Sequence, residues 1–404
     1  MQGEITNEYI KIDMIDKGMP LRSSFKGKKD RIDNPTDFNL FKAHKFNKID
    51  NNENDNNYAP ISESVITLSN QLLPLNEISN GIEKITNNFH CILYDLTPTY
   101  IFGGINMYTI FGCLYLLSKE KTENELKKIF SFPKKEILQT GLYNILSKNK
   151  HIRTQNFLLL NKNIPFNHQI INDISPFINF IQFDNTQPVN ELNNINMIIK
   201  KYFPKHSHTQ ISLKYSQLIL LSISYISLTW KHAVKISNNL LHFQNITCGF
   251  YQDKLHTLLE IECFIGNNNN KFCYGILIYE NPNLPDADDI KIHFFITHLK
   301  KTFFNHLSIP HHETVTKIKY NTILQDDFNL NLHEFDISAL INNKIELNSV
   351  IQNIKLNLTD KYIIDPQRMN YSEKKDIFRV NKSHIFYLRS VNTNTIMFLG
   401  RLSL

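Results

Sequence analysis

Sixteen histidines and five cysteines are the side chains of this 404-residue chain with the clearest capacity for chemistry. His293, His298, His306, His311 and His312 fall in one stretch, and His206 and His208 flank a serine. A metal centre needs two or three converging ligands, and on a helix that means a spacing of four, as in H-x-x-x-H or H-E-x-x-H. Neither pattern occurs, and His293 and His298 are five apart. Exposed or hydrogen-bonded imidazoles are therefore the favoured reading, with no metal and no cofactor expected. The thiols Cys91, Cys113, Cys248, Cys263 and Cys273 are odd in number and have no C-x-x-C spacing. All but Cys248 lie in apolar runs, where a free cysteine behaves as a small hydrophobe. G-x-S-x-G, a P-loop and G-x-G-x-x-G are all missing. With no nucleophile–base pair in view, no enzyme is expected.

A second stretch is of interest as something to be acted upon. Residues 359–377, TDKYIIDPQRMNYSEKKDI, are polar and show neither a helical nor a strand period. They lie between an alternating segment, VIQNIKLNL at 350–358, and a hairpin pattern at 384–399. A long polar connection between two buried strands is usually functional or disordered. Arg368, Lys374 and Lys375 offer cleavage points to a trypsin-like protease, although basic residues are common on any exposed loop.

The elements that must hold this loop can be read in order. Residues 1–60, with a basic patch at 26–31 and DNNENDNN at 50–57, bury too little apolar surface to offset their ordering entropy. They read as a flexible extension, followed by a docking helix over 61–80 and a single domain over 81–404. Helical spacing of Ile82, Ile85, Phe89, Ile92, Leu93 and Leu96 ends at Pro98. A strand at 100–102 and a helix at 106–117 follow. Thr122 with Glu125 reads as a capping box opening a helix to Phe130. Strands are expected at 156–161, 217–230, 258–265, 272–279 and 314–319, with helices at 194–202 and 288–307.

Charge and hydropathy narrow the class. The net charge of +6 is mild and spread along the chain, a weak case for nucleic acid. The N-terminus carries acids and no apolar core, unlike a secretory signal. The best apolar run, 218–228, is shorter than the roughly 18 residues of a membrane span. An intracellular protein, cytoplasmic rather than nuclear, is expected, so the sequons at Asn245, Asn357, Asn370 and Asn381 would go unused. No membrane partner is expected, a protein partner is, and the oligomeric state is open.

Several motifs, taken in this order, resemble the serpin family across residues 81–404. They are the N-x-F-x-x-x-L-Y run from Asn87 to Tyr94, Thr122-Glu123-Asn124-Glu125-Leu126, Trp230 closing a long apolar strand, Phe335-Asp336-Ile337-Ser338, and Phe398-Leu399-Gly400-Arg401. Ile198 stands where the family usually has Trp, and Ser383-His384 where Pro-Phe would be expected. The resemblance implies an α+β fold of three β-sheets, about eight or nine helices and an exposed reactive-centre-like loop. That loop would comprise Lys361, Tyr362, Ile363, Ile364, Asp365, Pro366, Gln367, Arg368, Met369, Asn370, Tyr371, Ser372, Glu373, Lys374 and Lys375.

The resemblance also implies a mechanism to test. A serpin is cut in this loop, and the freed strand inserts into the main sheet, a large conformational switch. Insertion favours small residues, whereas here Asp365-Pro366 occupies the hinge without Gly or Ala, and the loop is a few residues short. The gate through which the strand enters corresponds to Gly103, Gly104 and Asn106, then Ser222 on the Trp230 strand, then Gln352. Its usual hydrogen-bonding residues are largely replaced. The expected function is therefore a non-inhibitory binding, structural or regulatory protein on a serpin-like scaffold. The alternatives are a working serine or cysteine protease inhibitor, or a nucleic-acid-associated protein.

Overall fold

Helix α1, Glu63–Leu96, owes its position to an apolar stripe: Ile78, Ile82, Ile85, Phe89 and Leu93 recur every three or four residues and are all buried. The computed structural model describes residues 63–149, 152–204, 209, 211–265, 271–279, 292–362 and 373–404. Residues from Gln71 to Leu404 belong to one compact unit; of a second unit, Met14–Asn70, only the first turns of α1 are described. The flexible extension expected over 1–60 lies outside the described residues. The sequence pattern separates a helix at 61–80 from one beginning near Gly81, whereas α1 runs continuously through that point, with Pro74 inside it.

Fourteen strands form one hydrogen-bonded network that divides into three sheets. The first, in the order β3-β2-β4-β11-β10, contains β2 (Arg153–Asn161), β3 (Asn179–Phe183), β4 (Leu218–Trp230), β10 (Glu313–Lys319) and β11 (Leu347–Tyr362). Its centre is a parallel pair, β4 with β11, in register from Ser349↔Ile219 to Leu358↔Leu228, with a one-residue slip before it at Leu347↔Leu218. The second sheet is antiparallel: β1 (Tyr100–Gly103), β14 (Thr395–Leu402), β13 (His384–Ser390), β8 (Lys271–Tyr279) and β7 (His256–Ile265). The third is β5 (Val234–Ser237), β6 (Leu240–Gln252), β9 (Lys300–Pro310) and β12 (Glu373–Arg379). Short pairings of β7 with the end of β4 and with β6 stitch the sheets together.

Seven α-helices and one π-helical turn, Ile323–Asp327, occur among the described residues. Helix α2 (Gly104–Leu117) is buried at every residue but Leu116, as expected of a helix apolar all round. Helices α3 (Glu120–Phe130) and α4 (Lys135–Lys148) follow it, and α5 is His168–Ile174. Helix α6 (Pro188–Tyr202) lays Ile195 and Ile199 on Ile219, Leu221 and Ile223 of β4 and Ile351 of β11. The opposite faces of β4 and β11, with Leu220, Ile226, Leu228, Val350, Ile354 and Leu356, join the main core shared with α1 and α2.

Three further expectations are corrected. Helical spacing over 288–307 is realised only in α7 (Ile292–Thr297); from Lys300 the chain is strand β9, because pairing with β6 and β12 on either side outweighs the local pattern. The stretch 359–377 is not loop throughout, since β11 continues to Tyr362 and β12 begins at Glu373. Thr122 lies inside α3, and its Oγ1 accepts the Asp336 N–H at 3.1 Å instead of capping the helix.

Behind the second sheet, Arg389 and Glu260 form a two-pronged ion pair at 2.8 and 2.6 Å, and the Tyr387 hydroxyl donates to Glu260 at 2.9 Å. Gly275 opposes Tyr387, and a Cβ there would lie 2.0 Å from the ring. The ring is fully buried and held by its hydroxyl, so it cannot retreat. Gly275→Ala is expected to cost about 3 kcal/mol of stability, read from the urea midpoint.

Candidate functional site: the β4–β11 seam and the end of β11

The chain reaches the loop through a strand anchored at its foot, middle and head. At the foot, Asn348 Oδ1 accepts the Gln217 N–H at 2.6 Å, and Gln217 Oε1 accepts the Glu346 N–H at 2.7 Å. In the middle, Gln352 stands directly opposite Ser222. Its side-chain amide grips both backbone groups of Gly103, accepting the N–H at 3.2 Å and donating to the carbonyl at 3.0 Å. The Tyr320 hydroxyl also donates to Gln352 Oε1 at 3.1 Å. One amide thus ties β11 to the β1–α2 junction and to Tyr320, just beyond β10.

Around it, Asn106 on α2 donates to Ser224 Oγ at 2.6 Å, and Ser224 meets Thr154 Oγ1 of β2 at 2.9 Å. The residue types differ from those the serpin resemblance leads one to seek, but hydrogen bonds span all three elements. Ser222 itself does not join them: its Oγ and Asn106 Oδ1 are buried without a protein partner. The participating serine is Ser224, two residues on and on the same strand face. That parity was visible in the sequence; the roles of Tyr320 and Thr154 were not, because they come from other elements.

At the head, Trp230 is fully buried, with its ring edge-on to Phe243 at 5.3 Å and Tyr274 at 5.8 Å. Its indole N–H donates to the Thr359 carbonyl at 2.7 Å, while the Thr359 hydroxyl donates to the Leu228 carbonyl at 2.5 Å. The register slips between Leu358 and Tyr362, which pairs with Trp230. Thr359 therefore clasps the point where β11 leaves the regular sheet, a role that no sequence motif signalled.

Lys361 and Tyr362 end β11, with Tyr362 exposed. Ile363, Ile364, Asp365, Pro366, Gln367, Arg368, Met369, Asn370, Tyr371 and Ser372 lie outside the described residues. Glu373, Lys374 and Lys375 open β12, parallel to β9. Glu373 pairs with Lys300 at 3.2 Å, and Lys375 lies over the Phe250 ring at 4.0 Å while donating to Gln252 at 3.1 Å. Of the three basic cleavage candidates, Lys374 and Lys375 are thus held in a strand.

The arrangement presents a ten-residue segment between strands of two different sheets. Among the described residues no three His, Cys, Asp or Glu side chains gather as a metal site. His293 lies 3.0 Å from Glu83, and His298 is bonded to the Phe294 carbonyl at 2.7 Å. The five cysteines are free thiols. No described helix is long and apolar enough to cross a membrane.

No family profile and no curated protein matches this sequence. Solved structures do. The chain is similar to protease nexin-1 crystallised with heparin, at 13% identity over 82% of this chain and 100% of that one, TM-score 0.69. It is similar to a tumour-suppressing serpin at 15% identity, over 82% and 99%, TM-score 0.70. It is also similar to human thyroxine-binding globulin with thyroxine, at 14% identity over 81% and 98%, TM-score 0.69. The fold is serpin-like.

Two substitutions probe the seam. Gln352→Ala leaves the Gly103 N–H and carbonyl and the Tyr320 hydroxyl buried without their partner, and is expected to cost about 3 kcal/mol in a urea titration. Trp230→Phe keeps most of the packing but removes one hydrogen bond. It is expected to cost about 1–2 kcal/mol and to speed amide exchange at 359–362 selectively.

Proposed function

We propose that this chain is a binding or regulatory protein that uses the serpin-like scaffold without the strand-insertion trap. One observation carries this reading: the seam that an inserting strand would have to part is paired without a break from Ser349 to Leu358, and the segment available to enter it has the wrong residues. An inserted strand turns alternate side chains toward the core shared with α1 and α2. In one parity that face receives Asp365; in the other it receives Arg368. Either charge, unpaired, would cost several kcal/mol. Pro366 would also lack an N–H in a strand bonded on both sides.

Reach argues the same way. The ten residues between Tyr362 and Glu373 extend to about 34 Å at most. Strand β4 alone has 13 residues, and a strand cut within the segment covers less than its length. Two of the similar structures hold a ligand, heparin in one and thyroxine in the other, which supports a binding role for the scaffold. A protein that recognises the segment 363–372 is the proposed partner. The five free thiols fit a reducing, intracellular setting.

Nicking by a trypsin-like protease at Arg368, followed by heating, tests the proposal. The nicked chain is expected to unfold within about 2 °C of the intact one, with no SDS-resistant complex at any protease ratio. A sharp rise in the unfolding midpoint, or a covalent complex, would establish the inhibitor instead.

A further inference from the structure

Two histidines beside the clasp play no part in the proposal above. His312, in the turn between β9 and β10, is part-buried with both ring nitrogens engaged. Nε2 meets the Tyr274 hydroxyl at 3.0 Å, and Nδ1 meets Thr314 Oγ1 at 2.8 Å. Tyr274, on β8, is buried, and His312 Nε2 is its hydroxyl's one hydrogen-bond partner among the described residues. The hydroxyl must therefore donate, which makes His312 neutral with its proton on Nδ1. A second proton on Nε2 would force Tyr274 to accept and leave its own proton without an acceptor.

His384, at the start of β13, is 3% exposed. Its Nδ1 donates to the Lys382 carbonyl at 2.9 Å, and its buried Nε2 has no partner, so added charge there would be unsatisfied. Burial depresses both groups, His312 to about 3, helped by His384 and His311, and His384 to about 4. Among the described residues, the side chains in contact with His312 are uncharged: Tyr274 on β8, Thr314 on β10 and Phe386 on β13, with its ring 5.3 Å away. The nearest acid in sequence, Glu313, is turned to Lys355 at 2.6 Å.

This cluster touches the clasp by two routes. The His312 carbonyl accepts the Leu358 N–H of β11 at 3.4 Å. The Tyr274 ring, held by His312, packs edge-on to Trp230, whose N–H holds Thr359.

We propose that His312 and His384 form an acid-sensitive latch, which when protonated frees residues 359–362, the end of β11, from Trp230. The sign follows from linkage. Both histidines bind protons less readily folded than unfolded, so the clasped state keeps its full stability above about pH 6.5 and loses it as pH falls toward 4. The latch governs how much chain a partner can reach, and it does not depend on whether the segment inserts.

Trp230 is the chain's only tryptophan and sits at the clasp, so emission from the full-length protein reports it directly. Between pH 8 and 4 the emission is expected to shift while the far-UV circular dichroism stays native. Amide protection at 359–362, corrected for intrinsic pH dependence, is expected to fall about tenfold. His312→Gln should flatten the emission transition; should that variant not fold, His384→Gln and Tyr274→Phe should each shift or shrink it. Three results would overturn the latch: unchanged emission and exchange down to pH 4, a transition unmoved by all of the variants that fold, or far-UV loss in step with the emission change.

Discussion

The parallel pairing of β4 with β11 is the constraint on which the rest of this molecule depends. Parallel neighbours cannot be joined by a tight turn, so the chain between them must travel. Here it lays down β5 to β9 of sheets two and three, and then β10, before returning as β11. The same seam receives α6 on one face and the core shared with α1 and α2 on the other, and Gln352 reaches through it to Gly103. Separating the two strands would break the backbone ladder and disturb both packed faces. The amide of Gln352 makes the middle of the seam specific as well as tight, because its three bonds fix the rotation of a fully enclosed side chain.

The seam and the histidine cluster act at different heights of β11. Gln352 secures a buried interior, where the neighbouring Ser222 hydroxyl has no acceptor among the described residues. Thr359 and Trp230 secure the rim, where the register already slips. A strand held firmly in its middle and by few bonds at its head can release the head alone. That separation lets a local change near His312 act on the end of β11 without dissolving the sheet.

Much of this architecture was legible in the sequence, for reasons that particular residues make plain. The hairpin at 384–399 was readable because it lies in the interior with alternating β-branched and aromatic residues on both arms. Strand β4 was readable as an apolar run ending in Trp230, and helix α2 as a buried run between Gly104 and Leu117. Strand β9 was not, because Phe303, Phe304 and Leu307 extend the spacing of the preceding helix by coincidence and only pairing with β6 and β12 makes them a strand. Gly103, Asn106 and Gln352 were singled out in the sequence, yet their bonds were not foreseen. A glutamine amide satisfying two backbone groups on another element leaves no local trace. Thr359 was hidden for the same reason: its function depends on an indole that lies far from it in sequence.

The pairing of β1 with β14 has a consequence for the birth of the molecule. Tyr100 to Gly103 wait for Phe398 to Arg401 before their ladder can close. At about 5–20 residues per second a ribosome takes roughly 15–60 s to cover that distance. For that interval α2, apolar on every side, has its first partners but not the strands that seal it. The nascent chain therefore carries an apolar helix whose neighbouring strand β1 stays unpaired with β14 for most of the chain's synthesis.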